Sequence, residues 1–318
     1  MASDVGRKFD NLGLGDVCDA HHMPQGNDDD DRGHHSNDSM ADALATLADA
    51  VSAAVAKAPP SSKADASEKA WRHYGGALFG SEKATRLSYG SLSWGDAEAA
   101  TFCQVIGSGA MPNLTQLDLH DNKIGDAGVM ALAEVCTKGA LEKLNALSIG
   151  SNITDRGAKT LAGVFANGKL AQLADLELDG NRIGDTGLSA LADAVIRGGL
   201  ASLEILFLDR NKIGDAGVEA LAKAADNNGA LAQLTELDLC RNQIGDAGVK
   251  ALASVCAKGR LAPLEHLRLA DNRIREAGIT ALADACAVGG LPNCTSISLA
   301  GNPGESTPVD LVLREREK

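Results

Sequence analysis

Aromatic residues are nearly missing from this chain: two tryptophans, two tyrosines and five phenylalanines make up 3% of its 318 residues. A core built on large rings is thereby excluded, and the abundance of Leu, Ala and Gly points to small aliphatic side chains packed in repeated register. No stretch approaches the ~20 consecutive apolar residues that a membrane span needs. The opening segment, MASDVGRKFDNLGLGD, has neither the apolar core of a signal peptide nor the acid-poor composition of a transit peptide. A cytoplasmic or nuclear location is the expectation. Basic residues are outnumbered 43 to 30, for a net charge of −13. That balance argues against nucleic acid as a partner, because phosphate binding needs a basic stripe that releases counterions, and it makes a basic protein surface the natural complement. The seven cysteines include no close C-x-x-C pair, so reduced thiols are expected in place of a disulfide framework or a zinc site.

The first 39 residues hold nine Asp against three basic residues, with Asp28 to Asp31 in a row, a composition that predicts a disordered tail. His21, His22, His34 and His35 stand beside these acids, but their spacing matches no structural zinc pattern, and no metal or other cofactor is expected. Between residues 40 and 58, Leu44, Leu47, Val51 and Val55 recur at three- and four-residue spacing in an Ala-rich run that stops at Pro59-Pro60. This predicts one amphipathic helix, followed by a linker at 59–70 and a repeat domain at 71–318 whose first part, about 71–110, is its cap.

The repeat itself decides the fold. Asn122, Asn152, Asn181, Asn211, Asn242, Asn272 and Asn302 lie 30, 29, 30, 31, 30 and 30 residues apart, each after L-x-L or its Ile variant. Around Asn242 the unit reads LTELDLCRNQIGDAGVKALASVCAKGRLAPL. Alternation at period two puts both Leu of L-x-L on one side of a short strand. The Asn then satisfies peptide groups of the turn that the strand ladder no longer supplies. Asp126, Asp155, Asp185, Asp215 and Asp246 stand where a carboxylate would cap the following helix. Gly139, Gly168, Gly198, Gly229, Gly259 and Gly289 stand where a left-handed residue would end it. One coil cannot bury its own Leu face, so coils must stack. The expected fold is an α/β solenoid of about eight coils, a horseshoe with parallel strands on its concave face and helices on its convex face. Its end units are degenerate: Leu92 precedes Asn122 by thirty residues with Trp94 in the Ile slot, and the last unit, ISLAGNPGESTPVDLVLREREK, loses the helix pattern.

The pattern L-x-x-L-x-L-x-x-N-x-I-G-D-x-G-x-x-x-L-A, over roughly residues 84 to 302, resembles the ribonuclease-inhibitor type of leucine-rich repeat. It looks like the repeat regions of NOD-like receptors and of Ran GTPase-activating proteins, in both of which the repeats serve macromolecular recognition. No P-loop G-x-x-x-x-G-K-[ST] occurs in the chain. The resemblance implies a protein-binding module, and a monomer is expected when it is alone. Two other roles stand beside it: activation of a partner GTPase, as in the Ran class, and a structural subunit of a larger assembly.

Side chains seven, six, four, two and one residues before each Asn are expected to face the concave surface, free of structural duty. There the acids Asp118, Asp121, Asp175, Glu177, Asp179, Glu204, Asp209, Glu236, Asp238, Glu265 and Asp271 face only Arg86, Arg210, Arg241 and Arg268. The result is an acidic groove suited to a basic or mixed-charge protein, unless Lys123, Arg182, Lys212 and Arg273 at the rim neutralise it. Phe207 takes the central column where other coils carry Asp118, Ser148, Glu177, Asp238, Arg268 and Ser298. A ring exposed there beside Arg210 and Arg241 is a candidate hot spot. Cys136, Cys256 and Cys286 share a small buried helix position, while Cys240 faces the groove and is read as inert. His120 and His266 lie in the groove about five coils apart with no Ser or Cys evident beside either, so no catalytic residues are assigned and the chain is not read as an enzyme.

Overall fold

The computed structural model describes residues 44–49, 51–53, 56, 84–227, 229–305 and 309. The acidic tail at 1–39 and the linker at 59–70 lie outside the described residues, as does 71–83 of the expected cap.

Eight parallel strands form one open sheet in sequence order: β1 (Arg86–Ser88), β2 (Gln116–Leu119), β3 (Ala146–Ile149), β4 (Asp175–Glu177), β5 (Ile205–Phe207), β6 (Glu236–Asp238), β7 (His266–Arg268) and β8 (Ser296–Ser298). Between them run seven helices: α1 (Asp96–Gly107), α2 (Asp126–Thr137), α3 (Asp155–Ala166), α4 (Asp185–Ile196), α5 (Asp215–Asp226), α6 (Asp246–Ala257) and α7 (Glu276–Ala287). Packed helices need about 8–10 Å and paired strands about 4.8 Å, so the stack curves with its strands inside. The central Leu of each strand meets its equivalent in the next, Leu87, Leu117, Leu147, Leu176, Leu206, Leu237, Leu267 and Ile297, and all eight are buried in a single apolar core. This is the leucine-rich repeat solenoid of about eight coils that the spacing predicts.

In the first coil, rings do what aliphatic side chains do elsewhere. Trp94, in the Ile slot, stacks on Tyr89 at 5.3 Å between centroids, and Phe102 packs against both. Residues 44–49 and 51–53 are helical, and their Leu44, Leu47 and Val51 belong to the same buried core as the coils.

Six Asn side chains tie neighbouring coils together. Asn242 accepts from Ile213 N of the preceding coil at 3.0 Å and donates to Leu208 O, Leu239 O and Cys240 O at 2.9, 3.2 and 3.1 Å. Asn122, Asn181, Asn211, Asn272 and Asn302 repeat this pattern. Asn152, expected in the same ladder, departs from it: its side chain is half-buried and no hydrogen bond to it is found among the described residues. The backbone explains why. The residue before every bonded Asn is left-handed, at Asp121, Gly180, Arg210, Arg241, Asp271 and Gly301, whereas Ser151 is not, so the Asn152 amide is not delivered into the turn.

The aspartates at the helix starts also act differently from the expectation that each caps its own helix. Each is the first residue of its helix, after an N-cap of Gly125, Thr154, Gly184, Gly214 or Gly245, and its carboxylate reaches into the next coil. Asp215 Oδ1 accepts from Gly245 N at 2.7 Å and Gly248 N at 2.9 Å. Asp96, Asp126, Asp155, Asp185 and Asp246 do the same one coil on. Each helix start is thus satisfied by a charge from its neighbour, and the glycine of G-D-x-G is required by closeness. A Cβ on Gly248 would sit 2.9 Å from Asp215 Oδ1. The first helix confirms the logic by exception: Glu98 stands in place of that glycine and reaches back to Gly95 N at 2.8 Å.

The helices end as the sequence predicts. After α2, Gly139 is left-handed with φ 96°, and Gly139 N and Ala140 N bond Cys136 O and Val135 O at 3.0 Å. This pair of bonds closes the last turn.

Candidate functional site

Register places the outward-facing side chains of the strands in columns. The central one runs Ser88, Asp118, Ser148, Glu177, Phe207, Asp238, Arg268, Ser298, and beside it run Arg86, Gln116, Ala146, Asp175, Ile205, Glu236, His266, Ser296. Both alternate with the buried Leu column, so they form the floor of the concave face.

The groove's charge is unevenly distributed. Arg268 bonds Glu236 at 3.0 Å and lies 3.9 Å from Asp238, Arg241 meets Asp271 at 3.3 Å, and Arg210 meets Asp209 at 3.7 Å. These arginines, expected to face a partner, are engaged with acids of the chain's own far half. Phe207 is half-buried and not fully exposed. The cation over it is Arg268, 5.5 Å from the ring centroid, two coils away. The Phe207–Arg268 contact adds to the internal pairing in that half of the groove. Toward β4, by contrast, Asp175, Glu177, Asp179 and Glu204 have no Lys or Arg within 4.0 Å among the described residues. None of Lys123, Arg182, Lys212 and Arg273 forms an ion pair with a concave acid there either, and Arg273 bonds Gln243 instead.

The crowding of these acids shows in their protonation. Burial, and then Asp238 and Asp179, push the Asp209 carboxyl up to about 6 against the opposing charge of Arg210. Burial and then Glu177, Glu204 and Glu236 raise Asp175, and burial with Asp121 raises Asp179. An acid whose folded pKa is raised binds protons more readily folded than unfolded, so it costs stability as pH rises from about 4 through about 6. Asp209→Asn is therefore expected to stabilise the protein at pH 7, by about 1 kcal/mol after allowing for solvent screening of a half-exposed group. The gain should shrink to nothing by about pH 4. Urea midpoints of wild type and variant at the two pH values measure it, and an equal gain at both would contradict it.

Near the other end, His120 Nδ1 lies 2.6 Å from Asp118 Oδ1 while Ser88 Oγ donates to Asp118 Oδ2 at 2.8 Å. Burial works against protonation of His120, but the Asp118 hydrogen bond and the charges of Asp118, Asp121 and Asp179 outweigh it and raise the imidazole pKa. The ring fits because Gly90, opposite it, has no Cβ. His266 does have a serine beside it, contrary to the expectation from sequence: Nδ1 is 3.1 Å from Ser296 Oγ, in the register of β7 and β8. No carboxylate bonds the His266 ring among the described residues, so the orienting member of a nucleophile–base–acid set is missing there. Cys103, Cys136, Cys256, Cys286 and Cys294 are buried, and no disulfide joins cysteines among the described residues. Burial pushes the Cys103, Cys136 and Cys256 thiols up to about 12. Burial, then Asp238, does the same for the half-buried Cys240, which suppresses thiolate chemistry.

The repeats seen in this geometry are matched independently. Residues 110–133, 173–192, 199–222, 232–253 and 261–283 match the leucine-rich repeat family. No curated protein matches the chain. The chain carries leucine-rich repeats, and such repeats serve as protein-interaction modules by presenting a curved, extended face. No described helix is long and apolar enough to cross a membrane.

Proposed function

We propose that this solenoid binds a partner protein on its concave face, through the acids that the chain leaves unneutralised beside β4. The observation that carries this reading is the division of the groove. In one half Arg210, Arg241 and Arg268 answer the acids, whereas Asp175, Glu177, Asp179 and Glu204 in the other half form no ion pair among the described residues, and Glu177 and Glu204 add to the cost of ionising Asp175. A basic surface relieves that repulsion, and the curved wall of one sign speeds its approach. The chain carries no chemistry of its own in this reading. It acts as a scaffold, inhibitor or sensor of ribonuclease-inhibitor-like build, monomeric when free, in the cytoplasm or nucleus. A GTPase activator of the Ran class would be distinguished by stimulated turnover of a small GTPase, and a structural subunit by assembly at micromolar concentration.

The test is a captured partner titrated against wild type and Glu177→Lys/Glu204→Lys, a pair on the solvent side of the sheet. Affinity is expected to fall about a hundredfold with the double reversal, and about tenfold for wild type between 50 and 300 mM salt. A partner held equally by both proteins would place binding on the helices or the N-terminal segments instead.

A further inference from the structure

Two of these acids, Asp175 and Glu177, line a cavity of about 320 Å³ in the groove floor, whose wall also includes Arg86, Asp118, Ala146 and Ser148. Two polar atoms in its wall are buried and have no hydrogen-bond partner among the described residues, Ser148 Oγ and Asp175 Oδ1. Ser148 is only 8% exposed, so its hydroxyl is met neither by the protein nor by open solvent. A buried carboxylate oxygen without a donor is costly, and both atoms await something that enters from the groove. Asp118 is already taken by Ser88 and His120, which leaves Asp175, Glu177 and Ser148 as the free acceptors.

The same groove shows what such a set of acceptors holds. Asp175 and Glu177 on β4 occupy the positions of Glu236 and Asp238 on β6, in the same two columns. The β6 pair holds the guanidinium of Arg268, which also lies on an apolar surface, the ring of Phe207. Ala146 beside Asp175, in register with it, supplies a small floor in place of a ring. Arg86, on β1 at about 14 Å of strand spacing from β4, lines the same cavity but forms no ion pair with Asp175 or Glu177 among the described residues. Among the described residues no three His, Cys, Asp or Glu side chains converge to hold a metal ion, so the complementary group is an organic cation.

We propose that this cavity is the receptor for an arginine side chain of the bound partner, its guanidinium held by Asp175 and Glu177 and donating to Ser148 Oγ. The inference rests on the reading of the concave face as the binding surface and names the chemistry of one contact within it. A planar fork of five donors spans two carboxylates and a hydroxyl spread over adjacent strands, whereas the three donors of an ammonium radiate from a single nitrogen.

The probe is the blocked pentapeptide acetyl-Gly-Gly-Arg-Gly-Gly-amide, with the citrulline peptide as its neutral counterpart, titrated into the full chain and followed by amide NMR. The arginine peptide is expected to shift residues 146–148 and 175–177 saturably, and the citrulline peptide at least tenfold more weakly. Asp175→Asn should weaken the arginine peptide about tenfold and Ser148→Ala about threefold, while Asp271→Asn in the far half leaves binding unchanged. Each variant's spectrum away from the cavity reports its folding. Equal shifts from the citrulline peptide, or undiminished binding by Asp175→Asn, would overturn the proposal, as would shifts centred elsewhere in the groove. Because no partner protein enters this titration, its failure is separable from that of the broader reading, which the Glu177→Lys/Glu204→Lys measurement decides.

Discussion

Asn242→Leu is expected to destabilise the protein by about 4 kcal/mol, whereas Asn152→Leu should cost less than about 1 kcal/mol, although the two asparagines stand at the same place in the repeat. The Asn242 amide is buried and makes four hydrogen bonds, one accepted from Ile213 N and three donated to carbonyls. A leucine fills the space but leaves a buried N–H and two or more carbonyls unmet, each costing about 1–3 kcal/mol. Asn152 is half-buried and lends no such bonds, so its loss removes little. Chemical denaturation followed by circular dichroism measures both. Similar costs at the two sites would show that the break in the ladder at Ser151–Asn152 is not real. Since each coil contacts only its neighbours, the Asn242 loss should open the solenoid around β5 to β7 before the rest.

Asp215→Ala has the second large effect, about 2–3 kcal/mol, because two amides lose a charged acceptor. Its location is more telling than its size. If each Asp capped its own helix, amide exchange would quicken at Gly217 and Val218. The observed bonds run from Asp215 to Gly245 and Gly248, so exchange should quicken by one to two orders of magnitude at those two amides, in the following coil. Asp215→Asn keeps an acceptor oxygen and should lose less than half as much. Faster exchange confined to α5 would contradict the coil-to-coil account.

The difference between those outcomes marks how far the sequence can be read. Period and spacing determine the number of coils, the strand register and the turn that each Asn serves, because these follow from alternation, burial and the need to satisfy backbone groups. What period cannot convey is direction between equivalent coils. An Asp at the first position of every helix is equally consistent with capping its own amides or its neighbour's. The geometric reason for the choice is visible only in the close approach of Gly248 to Asp215. The shortened spacing of 29 before Asn181 and Thr154 in place of the usual N-cap glycine are linear signs that coil three differs, but they carry no information on φ at Ser151.

The groove is legible as columns and only partly as chemistry. Asp118, Glu177, Asp179, Asp209, Glu236 and Asp238 do lie on the concave face, since alternation about the Leu core leaves them nowhere else. Their partners could not be read, because pairing depends on reach across coils. Arg268 extends to Glu236 and Phe207, one and two coils away, and so engages itself, Phe207 and the β6 acids with one another. Ser148 carries no signal in sequence at all, being a small polar residue in a column of mixed character. It matters only because its neighbours bury it. The concentration of free acids around β4 is thus a property of the folded register and not of composition.

The claim that the concave face is the binding surface is tested most directly by hydroxyl-radical footprinting of the captured complex. Phe207, Cys240 and His266 report the groove, and Met130, 45% exposed on α2, reports the convex side. The account predicts that the partner lowers oxidation at the three groove residues and leaves Met130 unchanged. Protection of Met130 with the groove residues still oxidised at their free rates would contradict it.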